Sequence, residues 1–155
     1  MALLLAFALG FIAGLRSMTP PAVMAWAAHL GWLSLDGTPL SFLASPVARY
    51  VLLVAMLGEL VADKLPFTPS RTLPGPFVWR ILSGGVSGAA LAAGFGQPLA
   101  LGAAAGAAGA VAGTLGGYRA RTGLVRTLEV PDYAVALTED VVAVGSALLI
   151  ATVGS

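Results

Sequence analysis

A chain of 155 residues, 58% hydrophobic and only 10% charged, falls well below the about 25% charge of a soluble domain; a bilayer, not water, accommodates that much apolar surface. The formal net charge of +1, with no Lys/Arg stripe interleaved with aromatics, excludes a basic nucleic-acid binder. The lack of cysteine excludes disulfides and thiolate metal sites, and the length suits one domain, residues 1–155.

Proline, glycine and charge clusters divide the chain into six apolar segments, each of which reads as a helix. The first, residues 2–15, superficially looks like a signal peptide. It lacks a basic start and a small-x-small cleavage site before a polar stretch, so it reads as a retained helix. The second, residues 20–33, opens on Pro20 and Pro21, which lack amide protons and suit a first helical turn, with Thr19 as its cap. At about 14 residues, or roughly 21 Å each, both fall short of the roughly 30 Å of hydrocarbon in a bilayer. Segments 46–63, 77–95, 98–118 and 133–153 approach the roughly 20 residues that span it. The expected fold is an all-α integral membrane bundle of about six helices, two short N-terminal ones meeting at a proline break.

Residues 1–33 allow two arrangements: separate helices meeting at Arg16-Ser17-Met18-Thr19-Pro20-Pro21, or one span broken there. Charge placement favours the first. With six crossing helices, Arg16, Lys64, Arg71, Arg80, Arg119, Arg121 and Arg126 share one side and Arg49 stands alone on the other, a strong positive-inside pattern. Both termini then lie outside, and the Lys/Arg-rich loops are cytoplasmic. Trp26, Trp32 and Tyr50 fall near the outer surface, and Trp79, Tyr118 and Tyr133 near the inner one, where interfacial aromatics belong. The five-span alternative leaves Arg16 in mid-membrane. A weak internal repeat is also legible: the stretch Gly10 to Thr19 echoes Gly113 to Thr122 in its glycines, Arg and Thr, and Leu57-Gly58-Glu59-Leu60-Val61 echoes Leu137-Thr138-Glu139-Asp140-Val141. The two echoes have different offsets, so a chance likeness of Gly-rich helices ending in Arg stays open.

Four carboxylates beside apolar stretches carry the functional signal. Glu59 and Asp63, spaced i, i+4, share a helix face, while Glu139 and Asp140 come early in the last segment. In the six-helix topology these acids, Arg16 and Arg80 fall at one depth in the cytoplasmic part of the membrane. Charges there are costly, so they face one another or a wet cavity, and an intramembrane acid is a candidate site. Two plainer readings compete: ion pairs that only pin helices, and carboxylates solvated at the headgroup level. The break after Arg16 adds unpaired amides and a positive dipole end, which favour an anion, whereas the acids favour a cation or proton. A small ion, or an anionic or zwitterionic solute, is the expected ligand.

The connector from Lys64 to Pro76 holds four prolines and reads as stiff and extended. Its Ser70, Arg71 and Thr72 are candidates for a phosphate or lipid headgroup, against the blander reading of a rigid linker. Gly102, Gly106, Gly109, Gly113 and Gly117, with Gly84 and Gly88, give small-xxx-small spacing, for packing within the chain or for a homo-oligomer through helix 98–118. His29, the one histidine, has no acid near it and reads as interfacial. No Gly-rich phosphate loop, HExxH or nucleophile elbow is present.

At Gly14-Leu15-Arg16-Ser17-Met18-Thr19-Pro20, Glu59-Leu60-Val61-Ala62-Asp63-Lys64-Leu65-Pro66, Pro69-Ser70-Arg71-Thr72 and Glu139-Asp140, the chain resembles an uncharacterised family of small bacterial integral membrane proteins, catalogued as a domain of unknown function. The resemblance covers nearly the whole chain. It implies a bacterial inner-membrane location and brings no activity with it.

Three functions follow. The first is a small transporter or channel-like protein whose site is Arg16, Glu59, Asp63, Arg80, Glu139 and Asp140, with Glu59 and Glu139 carrying the coupling cation or proton. A polar route outward is not evident, because the first two segments hold few polar groups beyond His29. The second is a membrane enzyme or binding protein for a phospholipid or isoprenoid-phosphate headgroup, with acids on a divalent metal and Arg71, Arg80 and Arg119 on the phosphate. The third is a structural protein held by its ion pairs.

Overall fold

A computed structural model describes residues 1–66 and 70–153, and among these it contains helices and no strand. The α-helices are α1 (Ala2–Leu15), α2 (Thr19–His29), α3 (Pro46–Ala62), α4 (Pro74–Gly94), α5 (Leu99–Leu128) and α6 (Asp132–Val153), with a short 3-10 turn, Ser41–Ala44, before α3. Prolines open α2, α3 and α4, where a missing amide proton costs nothing. Ser45 caps α3 by accepting a hydrogen bond from the Ala48 amide at 3.2 Å.

The fifth helix departs from the sequence expectation. It does not stop at Tyr118 but runs 30 residues to Leu128, ending at Glu129 in a left-handed conformation (φ 50°). No proline interrupts the chain between Pro98 and Pro131, so nothing stops the helix, and Arg119, Arg121 and Arg126 lie on it instead of in a loop. At about 1.5 Å per residue it is roughly 45 Å long.

α4, α5 and α6 are each long and apolar enough to cross a membrane, and α1 is a shorter apolar helix. α3 is also short of a full span at 17 residues, roughly 26 Å. Val54 and Val61 on α3 and Val141 and Leu149 on α6 are all more than 60% exposed, an apolar surface suited to lipid. The chain is a membrane protein.

Neighbouring glycines fix how α1, α4 and α5 run. A Cβ placed on Gly10 would strike Gly106, one on Gly113 would strike Phe11, and one on Gly117 would strike Leu15, so α1 and α5 are parallel. Gly84 meets Gly10 and Gly106, and Gly88 meets Gly102, so α4 is antiparallel to both. α2 runs with α4: Ser17 meets Ser83 at one end, and Leu33 abuts Gly94 at the other. α2 is antiparallel to α3, because Glu59 reaches Ser17 while Tyr50 meets Trp26. Successive helices therefore alternate in direction, and α1 and α2 are two helices that reverse at residues 16–18, not one broken span.

The glycine edge of α5 is thus taken up within the chain by the backbones of α1 and α4. Such approach replaces the hydrophobic drive that lipid cannot supply. Gly106→Ala is expected to lower stability by about 1–3 kcal/mol through overpacking, since its Cβ would meet the Gly84 carbonyl. Gly58→Ala, with open space around it, should gain about 0.5–1 kcal/mol from helix propensity. Thermal unfolding in detergent separates the two signs.

Candidate functional site

Arg16 is the residue at which α1 ends, and its extended backbone (φ −138°, ψ 106°) breaks the helix. Its side chain is fully buried at 0% exposure. The guanidinium donates from Nε to Asp140 Oδ1 at 2.5 Å, from Nη1 to Asp63 Oδ2, and from Nη2 to the Ala136 carbonyl at 3.4 Å. Glu139 Oε2 stands 3.7 Å from Nη2. One arginine thereby ties the α1–α2 turn to the end of α3 and the start of α6.

Further pairs extend this centre. Arg71 grips Glu139 with two bonds, Nη1 to Oε1 at 2.7 Å and Nη2 to Oε2 at 3.1 Å, and lies 3.8 Å from Asp63. Arg121 donates to Asp132 at 2.8 and 2.5 Å and to Asp63 at 3.2 Å. Lys64 donates to Asp140 Oδ2 at 2.5 Å and to the Leu60 carbonyl at 2.7 Å.

Glu59 has a different role. Its Oε1 accepts from the Ser17 amide at 2.8 Å and the Ser17 hydroxyl at 2.7 Å, and its Oε2 accepts from the Met18 amide at 2.7 Å. Arg80 stands 3.7 Å away and donates to the Gly14 carbonyl at 2.9 Å. The anion that sequence reasoning places at the start of the second helix is therefore supplied by the chain itself. Pro20 and Pro21 remove two amide donors there, and Glu59 takes those just ahead of them, at the positive end of the helix dipole.

Arg16, Glu59, Asp63, Arg80, Glu139 and Asp140, singled out from sequence, are all brought together at one end of the bundle. Arg71 joins them as a buried partner. Ser70 and Thr72 do not: their hydroxyls pair with each other at 2.9 Å on the surface. Residues 67–69 of the proline-rich connector, Pro69 among them, lie outside the described residues. Sequence reasoning missed Lys64, Arg121 and Asp132 as members. For Arg121 the uninterrupted run to Pro131 was the available signal, since it carries the arginine along a helix back to the cluster. Five cations, Arg16, Lys64, Arg71, Arg80 and Arg121, now face five anions, Glu59, Asp63, Asp132, Glu139 and Asp140. Among the described residues no group of three or more acids or histidines is placed to hold a metal ion, and every one of these acids faces an arginine or lysine.

Three cavities adjoin the cluster. One of about 560 Å³ has a mixed lining, with Asp63, Arg71, Arg121, Arg126 and Asp132 beside Leu65, Pro66 and Val125. An apolar groove of about 580 Å³ runs between α1, α5 and α6, with Phe11, Leu124, Leu128, Val135 and Val142 in its walls. Arg121 lines both. A third space of about 350 Å³ between α3 and α4 holds Ser17, Glu59, Arg71, Trp79 and Arg80.

A family model described as a domain of unknown function, DUF4126, matches residues 3–153. No curated protein and no solved structure matches the chain.

Proposed function

The chain belongs to the DUF4126 family, a family of unknown function, and from that premise we propose that it binds the phosphate headgroup of a membrane amphiphile, a phospholipid or an isoprenoid phosphate, at the charged end of its bundle. The observation that carries this reading is that Arg121 lines both the cavity rich in charged groups and the apolar groove. A ligand with a charged head and a hydrocarbon tail uses both, whereas a hydrophilic solute uses one. Arg126 lines the charge-rich cavity and has no acidic partner among the described residues, so it offers an uncommitted cation. Arg121 is engaged with Asp132, whose side chain is 62% exposed. That outer carboxylate is the partner a phosphate displaces, because an arginine fork accepts either anion in the same geometry. The charged end faces the cytoplasm in this reading, following the excess of Lys and Arg on that side.

The test is thermal unfolding of the purified protein in detergent with dioctanoyl phosphatidic acid, dioctanoylglycerol or inorganic phosphate. The lipid phosphate should stabilise most, by about 2.7 kcal/mol at a hundredfold excess over Kd. Arg126→Gln should leave the unliganded protein unchanged and weaken this binding roughly tenfold or more, the worth of one charge-assisted hydrogen bond. Equal affinity in Arg126→Gln and wild type, or equal stabilisation by dioctanoylglycerol, would defeat the reading.

Transport of a small ion through the same cluster is the second reading, and the helix reversal at Arg16 favours it, since discontinuous helices build such sites. It stands below the first because Glu59 and Glu139, its carriers for a cation or proton, are each held by two or more donors.

A further inference from the structure

The opposite end of the bundle contains an arginine that the charged cluster does not use. Arg49, in the first turns of α3, is only 7% exposed. Its guanidinium lies over two aromatic rings, with Cζ 5.1 Å from the centre of Trp26 and 4.9 Å from that of Tyr50. Those rings meet edge to face at 6.0 Å, and His29 stands edge-on to Trp26 at the same separation. The rings stabilise the charge, but a π face accepts none of the in-plane N–H bonds of a guanidinium. Arg49 Nε and Nη1 and the indole Nε1 of Trp26 are all buried without an acceptor. Three donor atoms in one neighbourhood, two of them on a charged guanidinium, call for an acceptor that is anionic and has more than one oxygen.

We infer that Arg49 and Trp26 form a second anion site, for the phosphate of an anionic phospholipid in the leaflet at that end. No acid makes an ion pair with Arg49 among the described residues, so the chain supplies no counter-ion of its own. Tyr50 and the half-buried Trp26 have the amphipathic rings that settle at headgroup depth, which puts the donors where lipid phosphates lie. The exposed imidazole of His29 borders the site. This inference stands on Arg49 and its ring partners alone and does not depend on the cavity at the charged end.

Trp26 is the built-in reporter. In a Trp32→Phe/Trp79→Phe background it is the one tryptophan of the chain. The protein, in mixed micelles, is titrated with phosphatidylglycerol or phosphatidylcholine carrying the same chain bromines, and with inorganic phosphate. Brominated phosphatidylglycerol should quench Trp26 at concentrations at least fivefold lower than the choline lipid. Arg49→Gln should remove that preference, and Arg49→Lys, which keeps the charge without the fork, should retain part of it. The lysine variant carries the test if the glutamine variant fails to fold. Equal quenching by the two lipids, or a preference that survives in Arg49→Gln, overturns the site. A shift of Trp26 emission by inorganic phosphate as large as that by phosphatidylglycerol overturns its assignment to lipid. Arg126→Gln, measured in parallel, should leave the Trp26 preference in place, so failure here is separable from failure at the charged end.

Discussion

Arg16→Gln should cost about 3–5 kcal/mol, the penalty for removing one partner from a buried ion pair. The cost is high because Arg16 serves three carboxylates at once. Asp63 and Asp140 lose a hydrogen-bonded counter-ion, and Glu139 loses a nearby positive charge. Lys64, Arg71 and Arg121 remain to share those acids, but each already has partners of its own. The orphaned acids are themselves only 10–12% exposed, so water replaces little of what they lose. The expected result is a large drop in unfolding temperature in detergent and in folded yield. Arg16→Lys should fall between, since an ammonium keeps the charge but cannot reproduce the two-sided fork. A glutamine variant that melts like the wild type would mean that the cluster rearranges freely around Arg16.

Glu59→Ala should be the second most damaging change, at about 3 kcal/mol, because it strands the Ser17 and Met18 amides and the Ser17 hydroxyl at about 1–3 kcal/mol for each buried unmade bond. Water entering the space between α3 and α4 would offset part of this. Glu59→Gln keeps an acceptor oxygen and should cost less than the alanine change. The comparison separates a helix cap from a carrier: a cap shows alanine far worse than glutamine in melting temperature, while a carrier shows both equally inactive in an uptake assay with stability little changed.

The helical segments and the meeting of Arg16, Glu59, Asp63, Arg80, Glu139 and Asp140 were legible in the sequence because helix direction alternates. Once the segments are counted, alternation alone puts the end of α3, the start of α6 and the Arg16 turn at one level. The partners within the cluster were not legible. Which arginine grips Glu139 depends on where the connector re-enters the bundle, and Arg71 sits between two residues whose hydroxyls pair with each other on the surface. The end of α5 was misjudged for a related reason. Arginines in sequence resemble a loop, yet a helix that runs on to Leu128 carries them past Tyr118 and returns Arg121 to the acids. The roles of Glu59 as a cap and of Arg49 as a buried cation between rings were invisible too, since both depend on contacts between helices and not on spacing along one.

The span of sequence that closes around Arg16 has a consequence for how the protein is made. Its partner Asp63 lies 47 residues downstream and Asp140 lies 124 downstream. At about 5–20 residues per second of synthesis, the turn between α1 and α2 waits roughly 6–25 s for its last counter-ion. Until Asp63 follows, the first hairpin carries a bare guanidinium that hydrocarbon does not tolerate, and until Asp140 follows it has only one of its two hydrogen-bonded carboxylates. It must therefore rest at the aqueous face, or against the insertion machinery, until α6 emerges and draws it in. Biogenesis of this chain is then a late, concerted closure triggered by its final helix, and a ribosome stalled before Asp140 should leave α1 and α2 accessible to protease.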